Sequence, residues 1–172
     1  TVRTRTGRAT TTNMGKSGKS VRTLVSQAER TTDAKTLCDI GWALLDADAD
    51  SAAGAAFTRV LAVRPRHGDA LQGLARVQEA AGQLDDAVET LRRAIRWSPD
   101  GALLRADAVN LELQRDAPQS AIEHLAVLMA KDAEEVEERL TANGYDDLDA
   151  ILARFFQRCT RVDPDKSALV VF

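Results

Sequence analysis

Apolar residues recur at helical spacing along most of this 172-residue chain, in paired stripes separated by short polar stretches. Two stretches, 48–68 and 82–101, carry apolar residues and a proline in corresponding slots of a 34-residue period. When the alignment is extended towards the N-terminus of each stretch, the slots hold Leu37, Ile40, Gly41, Leu44, Ala53, Phe57, Val60 and Pro65 in the first copy, and Leu71, Leu74, Ala75, Gln78, Ala87, Leu91, Ala94 and Pro99 in the second. Because apolar residues three and four apart share one face of an α-helix and proline ends a helix, the pattern predicts a repeated helix–turn–helix unit.

A third copy of the pattern follows one period later, with weaker agreement. Its second helix is retained, with Asp116 and Pro118 as start signals. Its first helix is weaker and its closing proline is lost, as expected near the end of a stack of repeats. Turns are predicted near 46–50, 82–84 and Asp116. Small residues at Gly41 and Ala75 are expected to let the paired helices approach closely.

Segments outside the repeats differ in composition, and they complete the predicted organisation of the chain. It comprises a basic flexible arm (1–17), an N-terminal helix (18–33), three repeats (34–67, 68–101 and 102–133), an acidic helix followed by a capping helix (134–163), and an apolar tail (164–172). The N-terminal segment is too rich in Thr and Arg to bury enough apolar surface for folding. The acidic helix is expected to close at Asn143-Gly144, and Asp146, Asp147 and Asp149 favour the start of the capping helix.

Charge is distributed unevenly along the chain, whose net charge is −3. Residues 1–30 hold seven basic residues and one acidic residue, so the remainder is strongly acidic. The basic arm consists of Arg3, Arg5, Arg8, Lys16, Lys19 and Arg22. Three interpretations of it stay open: contact with an acidic surface or nucleic acid, organelle targeting, and wrapping around a partner subunit. The lack of aromatic residues argues against single-stranded nucleic acid.

The second copy resembles the tetratricopeptide repeat in the identity and spacing of its key residues. These residues are Leu71, Leu74, Ala75, Gly82, Ala87, Leu91, Ala94 and Pro99. The first copy departs from the family pattern at Asp48, where the turn glycine usually stands. The resemblance implies an all-α fold, a right-handed superhelical solenoid of about three helix–turn–helix repeats with a C-terminal capping helix. It also implies a concave groove that binds peptides or protein partners, without enzymatic activity.

In the family's geometry, the face of each first helix that is not used for packing lines the groove. The residues on this face are Lys35, Cys38, Trp42 and Leu45 in the first copy, Asp69, Gln72, Arg76 and Glu79 in the second, and Leu103, Ala106, Asn110 and Leu113 in the third. Apolar residues with a few polar anchors suit an amphipathic helix or an extended apolar segment. Trp42 has an equally weighted alternative, which is packing against the N-terminal helix.

Other chemical signals in the sequence are weak. Asn13–Ser20 resembles a phosphate loop, but Asn13 replaces the required first glycine and no apolar strand precedes it. His67 and His124 have no partner at metal-ligand spacing, so neither a metal nor any other cofactor is expected. Cys38 and Cys159 are interpreted as packing residues in a reducing compartment.

The sequence leads to the hypothesis of a non-enzymatic adaptor or scaffold subunit of a multi-subunit protein complex. The alternative is a chaperone that holds an apolar segment of a client protein, and self-association is a further option. No signal peptide or membrane span is expected, which favours a cytoplasmic location, with organelle targeting through the arm as the alternative. Binding of acidic heat-shock chaperone tails is disfavoured, because Cys38, Trp42 and Gln72 stand where the family's basic set would lie.

Overall fold

The computed structural model describes residues 20–99, 101–131 and 133–161, and this part of the chain is built from nine α-helices with no strands. The five predicted basic residues Arg3, Arg5, Arg8, Lys16 and Lys19 and the apolar tail lie outside these ranges. The helices are α1 (Val21–Arg30), α2 (Ala34–Asp46), α3 (Asp50–Val63), α4 (Gly68–Ala80), α5 (Leu84–Trp97), α6 (Ala102–Gln114), α7 (Pro118–Met129), α8 (Ala133–Ala142) and α9 (Leu148–Arg161). The prediction of an all-α fold of helix–turn–helix repeats is therefore confirmed.

Three helix pairs recur with the period of the sequence pattern. The first helices α2, α4 and α6 begin at Ala34, Gly68 and Ala102. The second helices α3, α5 and α7 begin at 50, 84 and 118. Because α6 is as long as α2 and α4, the weak apolar pattern of the third copy does not shorten its first helix. Its Glu112 is only 1% exposed and stands in an apolar slot, where its carboxylate pairs with the Arg115 guanidinium at 2.8 Å.

The turn inside each pair has the same geometry in all three copies. Asp48, Gly82 and Asp116, which hold the same slot in successive copies, have φ angles of 57°, 77° and 56°. In each turn, the next residue donates its backbone N–H to a carbonyl five residues earlier, at 2.9, 2.8 and 2.9 Å. This bond and the left-handed residue are typical of a Schellman motif, which satisfies carbonyls at a helix end.

Asp116 is therefore a turn residue, and its interpretation as a helix start signal is wrong. Helix α7 has Ala117 at its N-cap without a side-chain hydrogen bond, and Pro118 occupies the first turn as predicted. The Asp116 carboxylate instead pairs with Arg158 of α9 at 2.9 Å. A residue with positive φ cannot also adopt the extended conformation that an N-cap requires.

Backbone contacts divide the described chain into two compact units, one from Ser20 to Leu104 and the other from Arg105 to Arg161. The first unit has its core around Phe57 of α3, which is fully buried. The Phe57 ring lies so close to Gly41 of α2 and Gly73 of α4 that a Cβ atom on Gly41 would approach it to 2.7 Å and one on Gly73 would overlap it. The sequence pattern predicts close approach at Gly41 but does not indicate Gly73, and Ala75 is buried.

Helix α1 is joined to this core by both apolar and polar contacts. Its Leu24 and Ala28 are buried within the same apolar cluster. The Arg59 guanidinium of α3 donates to the carbonyl oxygens of Ala28 and Thr31 at 2.6 and 3.1 Å. A cation at a helix C-terminus satisfies carbonyls that have no partner within the helix. Arg59 therefore fixes the end of α1.

In the second unit, α8 and α9 pack against α7 and against each other. The Arg158 Nε–H of α9 donates to the Leu113 carbonyl at 3.1 Å, next to its ion pair with Asp116. The Tyr145 hydroxyl, between α8 and α9, donates to the Asp107 carboxylate of α6 at 2.8 Å. These long-range polar contacts attach the capping helix α9 to the last repeat.

Candidate functional site

The twelve residues predicted to line a groove lie at corresponding positions of the first helices α2, α4 and α6. Nine of them keep some exposed surface, whereas Cys38, Ala106 and Leu113 are buried. Helices α2 and α4 contact each other directly within the first unit. We call their exposed or partly exposed members the first-helix face, which consists of Lys35, Trp42, Leu45, Asp69, Gln72, Arg76 and Glu79.

On α2 the first-helix face combines apolar and charged groups. Trp42 is partly buried, and its ring meets the Phe57 ring edge-on with 5.5 Å between centroids and an angle of 71°. Leu45 follows at the end of the helix and keeps part of its surface exposed. Lys35 lies exposed at the other end, where its ammonium is 3.5 Å from the Asp39 carboxylate. Trp42 is thus anchored by the core while part of its surface stays exposed.

Cys38 is the buried member of the four predicted groove positions on α2. It is only 3% exposed, and burial raises the pKa of its thiol to about 11, with further contributions from the carboxylates of Asp69 and Asp39. A side-chain hydrogen bond with Trp42 acts in the opposite direction. Asp69 belongs to α4, which contacts α2 directly.

On α4 the first-helix face is more polar. Asp69 is exposed in the first turn of the helix, and Gln72, Arg76 and Glu79 are partly exposed. Their spacing of three and four residues places them along one side of α4. They carry an amide, a guanidinium and two carboxylates on the helix that contacts α2, where Trp42 and Leu45 lie.

The predicted residues on α6 hold the corresponding positions of the third repeat, but they are less accessible than those on α2 and α4. Ala106 is fully buried and Leu113 is 7% exposed, while Leu103 and Asn110 keep part of their surface. The burial of Leu113 and the use of its carbonyl by Arg158 give it a structural role. Such burial depends on contacts distant in sequence, which the apolar pattern alone does not reveal.

Both histidines have local structural partners. The His67 Nδ1 accepts the Ala70 backbone N–H at 3.3 Å and so caps the start of α4. The corresponding position before α2 is Asp33, whose carboxylate accepts from the Thr36 hydroxyl at 2.6 Å. His124 lies 3.4 Å from Arg105. Among the described residues, no cluster of three or more His, Cys, Asp or Glu side chains could hold a metal ion.

The remaining predicted site residue in the described part of the chain is Arg22, which is exposed on α1. Phosphate-loop candidate residues 13–19 lie outside the described ranges, and Ser20 caps α1 through its side chain. Within those ranges, no helix has both the length and the hydropathy required to cross a bilayer.

Residues 43–106 match the family model of the tetratricopeptide repeat. This segment includes the turns at Asp48 and Gly82, and it runs from the last four residues of α2 through α5 into the first five residues of α6. This part of the chain carries the tetratricopeptide repeat. A comparison of the sequence with curated proteins found no match.

Solved structures of other tetratricopeptide-repeat proteins have a similar fold. MamA from Desulfovibrio magneticus RS-1 is 20% identical, with a TM-score of 0.58 over 81% of this chain and 82% of that one. The TPR2B domain of yeast Sti1, in its pHsp70 complex, is 16% identical, with a TM-score of 0.60 over 78% of this chain and 98% of that one. The type III secretion translocator chaperone SycD of Yersinia enterocolitica is 18% identical, with a TM-score of 0.58 over 73% and 96%. At these identities, the comparisons establish the shared fold.

Proposed function

We propose that this tetratricopeptide-repeat chain is a non-enzymatic adaptor or scaffold subunit that binds a protein partner on its first-helix face. The observation that carries the proposal is the exposure of matching positions on the adjoining helices α2 and α4. Packing of Trp42 against Phe57 pre-organises an apolar surface, so little side-chain entropy is lost when a partner covers it.

The chemistry of the face indicates the form of the partner segment. Trp42 and Leu45 provide apolar surface on α2, while Gln72 and Arg76 carry hydrogen-bonding groups on the adjoining helix α4. An amphipathic helix or an extended apolar segment would use both kinds of contact. Acidic heat-shock chaperone tails are a poorer fit, because Asp69 and Glu79 add negative charge to the α4 part of the face.

A second candidate function is a chaperone that holds an apolar client segment on the same face. The similarity to SycD, a translocator chaperone, supports this alternative. The two functions differ in the lifetime of the complex. A scaffold stays in a stoichiometric assembly through purification, whereas a chaperone releases its client.

The test reverses charge at the exposed starts of α2 and α4 without touching the core. The variant Lys35→Glu with Asp69→Lys keeps the net charge, and so does the control Asp50→Lys with Arg92→Glu on the second helices. Partners recovered by affinity purification from a source lysate are quantified by mass spectrometry, after equal melting temperatures have been verified. We expect the first variant to lose about fivefold or more of the partner while the control retains it, because reversing both charges places like charges against a partner that complements this face. Equal recovery with both variants would contradict binding on the first-helix face.

A further inference from the structure

A second exposed surface lies on the second helices, away from the first-helix face. Trp97 at the end of α5 is 52% exposed, and Val63, which holds the same slot at the end of α3, is 73% exposed. A single exposed apolar side chain is common in proteins, but exposed apolar residues grouped with polar ones can mark a surface that a partner covers. We call this surface the Trp97 patch, which consists of Val63, Arg66, Arg93, Arg96 and Trp97.

Arginine side chains surround the exposed tryptophan. The Arg66 guanidinium, in the loop between α3 and α4, stacks 3.9 Å from the centre of the Trp97 ring. Arg93 and Arg96 are exposed on α5, four residues and one residue before Trp97, so all three share one side of the helix end. The Arg96 guanidinium has a loose 3.6 Å contact with Glu89, in which both side chains are more than half exposed.

Compensation of the helix dipole would account for Arg96 alone, since cations stabilise helix C-termini. It accounts neither for the exposed Trp97 ring nor for the exposed Val63. A stacked guanidinium is held in place by the ring, and its N–H groups at the outer edge remain available to carboxylates. Tryptophan and arginine are also the residues that most often dominate protein interfaces.

We propose that the Trp97 patch binds an acidic peptide segment in which glutamate or aspartate residues flank an apolar side chain. Its carboxylates pair with Arg66, Arg93 and Arg96, and its apolar side chain packs on Trp97 and Val63. Charge complementarity favours this class of partner. Residues 31–172 are strongly acidic overall and repel a long polyanion such as nucleic acid. A short acidic segment contacts only the basic residues of the Trp97 patch.

The test uses the full chain with Trp42→Phe, so that Trp97 is its only tryptophan. The probe is a synthetic peptide of glutamates around a central phenylalanine, and its control carries glutamine in place of glutamate. We expect a saturable change in Trp97 fluorescence with the first peptide only. Binding is expected to weaken when salt rises from about 0.1 M to about 1 M, because the screening length falls.

Matched variants separate the patch from general electrostatics. Arg66→Ala and Arg93→Glu are each expected to raise the dissociation constant about tenfold, whereas Arg22→Glu, on the exposed surface of α1, changes it about twofold or less. Equal losses in Arg93→Glu and Arg22→Glu, absence of saturable binding, or preference for an oligothymidine over the peptide would each overturn the proposal. The reversal of Lys35 and Asp69 leaves this binding unchanged, so the two proposals fail independently.

Discussion

At the scale of single residues, the core of the first unit depends on the absence of two side chains. Phe57 fills the space beside Gly41 and Gly73, and neither glycine could carry a Cβ without displacing the ring. The repeated apolar pattern identified Phe57 and Gly41 as members of packing slots. It did not identify Gly73, because Ala75 occupies the slot equivalent to Gly41 and the contact depends on the direction of the phenylalanine ring.

Gly73→Ala is expected to lower the free energy of unfolding by about 3 kcal/mol, because it forces the Phe57 ring out of its site. The gain of up to about 1 kcal/mol in helix propensity does not offset this cost. Denaturant unfolding measures the difference, and the same substitution in a Phe57→Leu background provides the control. A loss of equal size in both backgrounds would mean that the ring contact is not the cause.

Cys38 should respond to pH and to alkylating reagents as a buried thiol. Burial raises its pKa from 9.0 to about 11, so its contribution to stability is complete below the ordinary pKa and is lost as pH rises towards 11. At pH 8 we expect iodoacetamide to modify the exposed Cys159 first and Cys38 only on unfolding, since the thiolate is the nucleophile. Mass spectrometry of peptides over time measures both rates. Equal rates in the folded protein would contradict the burial of Cys38.

At the scale of elements, the sequence predicts the positions of the three turns within the helix pairs better than their conformation. Their places follow from the apolar spacing, and glycine at 82 indicates a left-handed residue. Asp48 and Asp116 adopt the same conformation without glycine, which aspartate tolerates better than most residues. The three turns are therefore more alike in backbone conformation than in amino-acid sequence. The polar attachments of Arg59 and Arg158 were not predicted, because they join residues far apart in sequence.

Gly82→Ala isolates the conformational cost of such a turn. Gly82 has a φ of 77°, and no atom outside its immediate neighbours lies within 4 Å of an added Cβ, so steric overlap does not contribute. We expect a loss of about 1–2 kcal/mol, the cost of a left-handed conformation for an L-residue. Gly68→Ala is the control, because its surroundings are equally open and its φ is not in the left-handed region. Equal melting temperatures for the two variants would show that the turn at Gly82 relaxes at no cost.

At the scale of the whole molecule, charge is distributed unevenly between the N-terminal residues and the helices that follow them. The strong positive charge of residues 1–30 contrasts with the exposed glutamates of α8 (Glu134, Glu135, Glu137 and Glu138). The first-helix face and the Trp97 patch are mixed in charge. A partner attracted by the basic arm would therefore meet a different kind of surface from a partner bound on the repeats.

Deletion of residues 1–17 should weaken partner recovery at about 0.1 M salt and have little effect at about 1 M, where the screening length is about 3 Å. The control is deletion of Ala168 to Phe172, which removes no charged side chain and should show no such dependence on salt. Affinity purification at both salt levels measures the two effects, and thermal unfolding shows whether either deletion destabilises the isolated protein. If the arm deletion leaves recovery unchanged at low salt, its charge does not contribute to partner binding. The interpretation of the arm as a targeting segment then gains support, because removal of such a segment would not alter the interactions of the repeats.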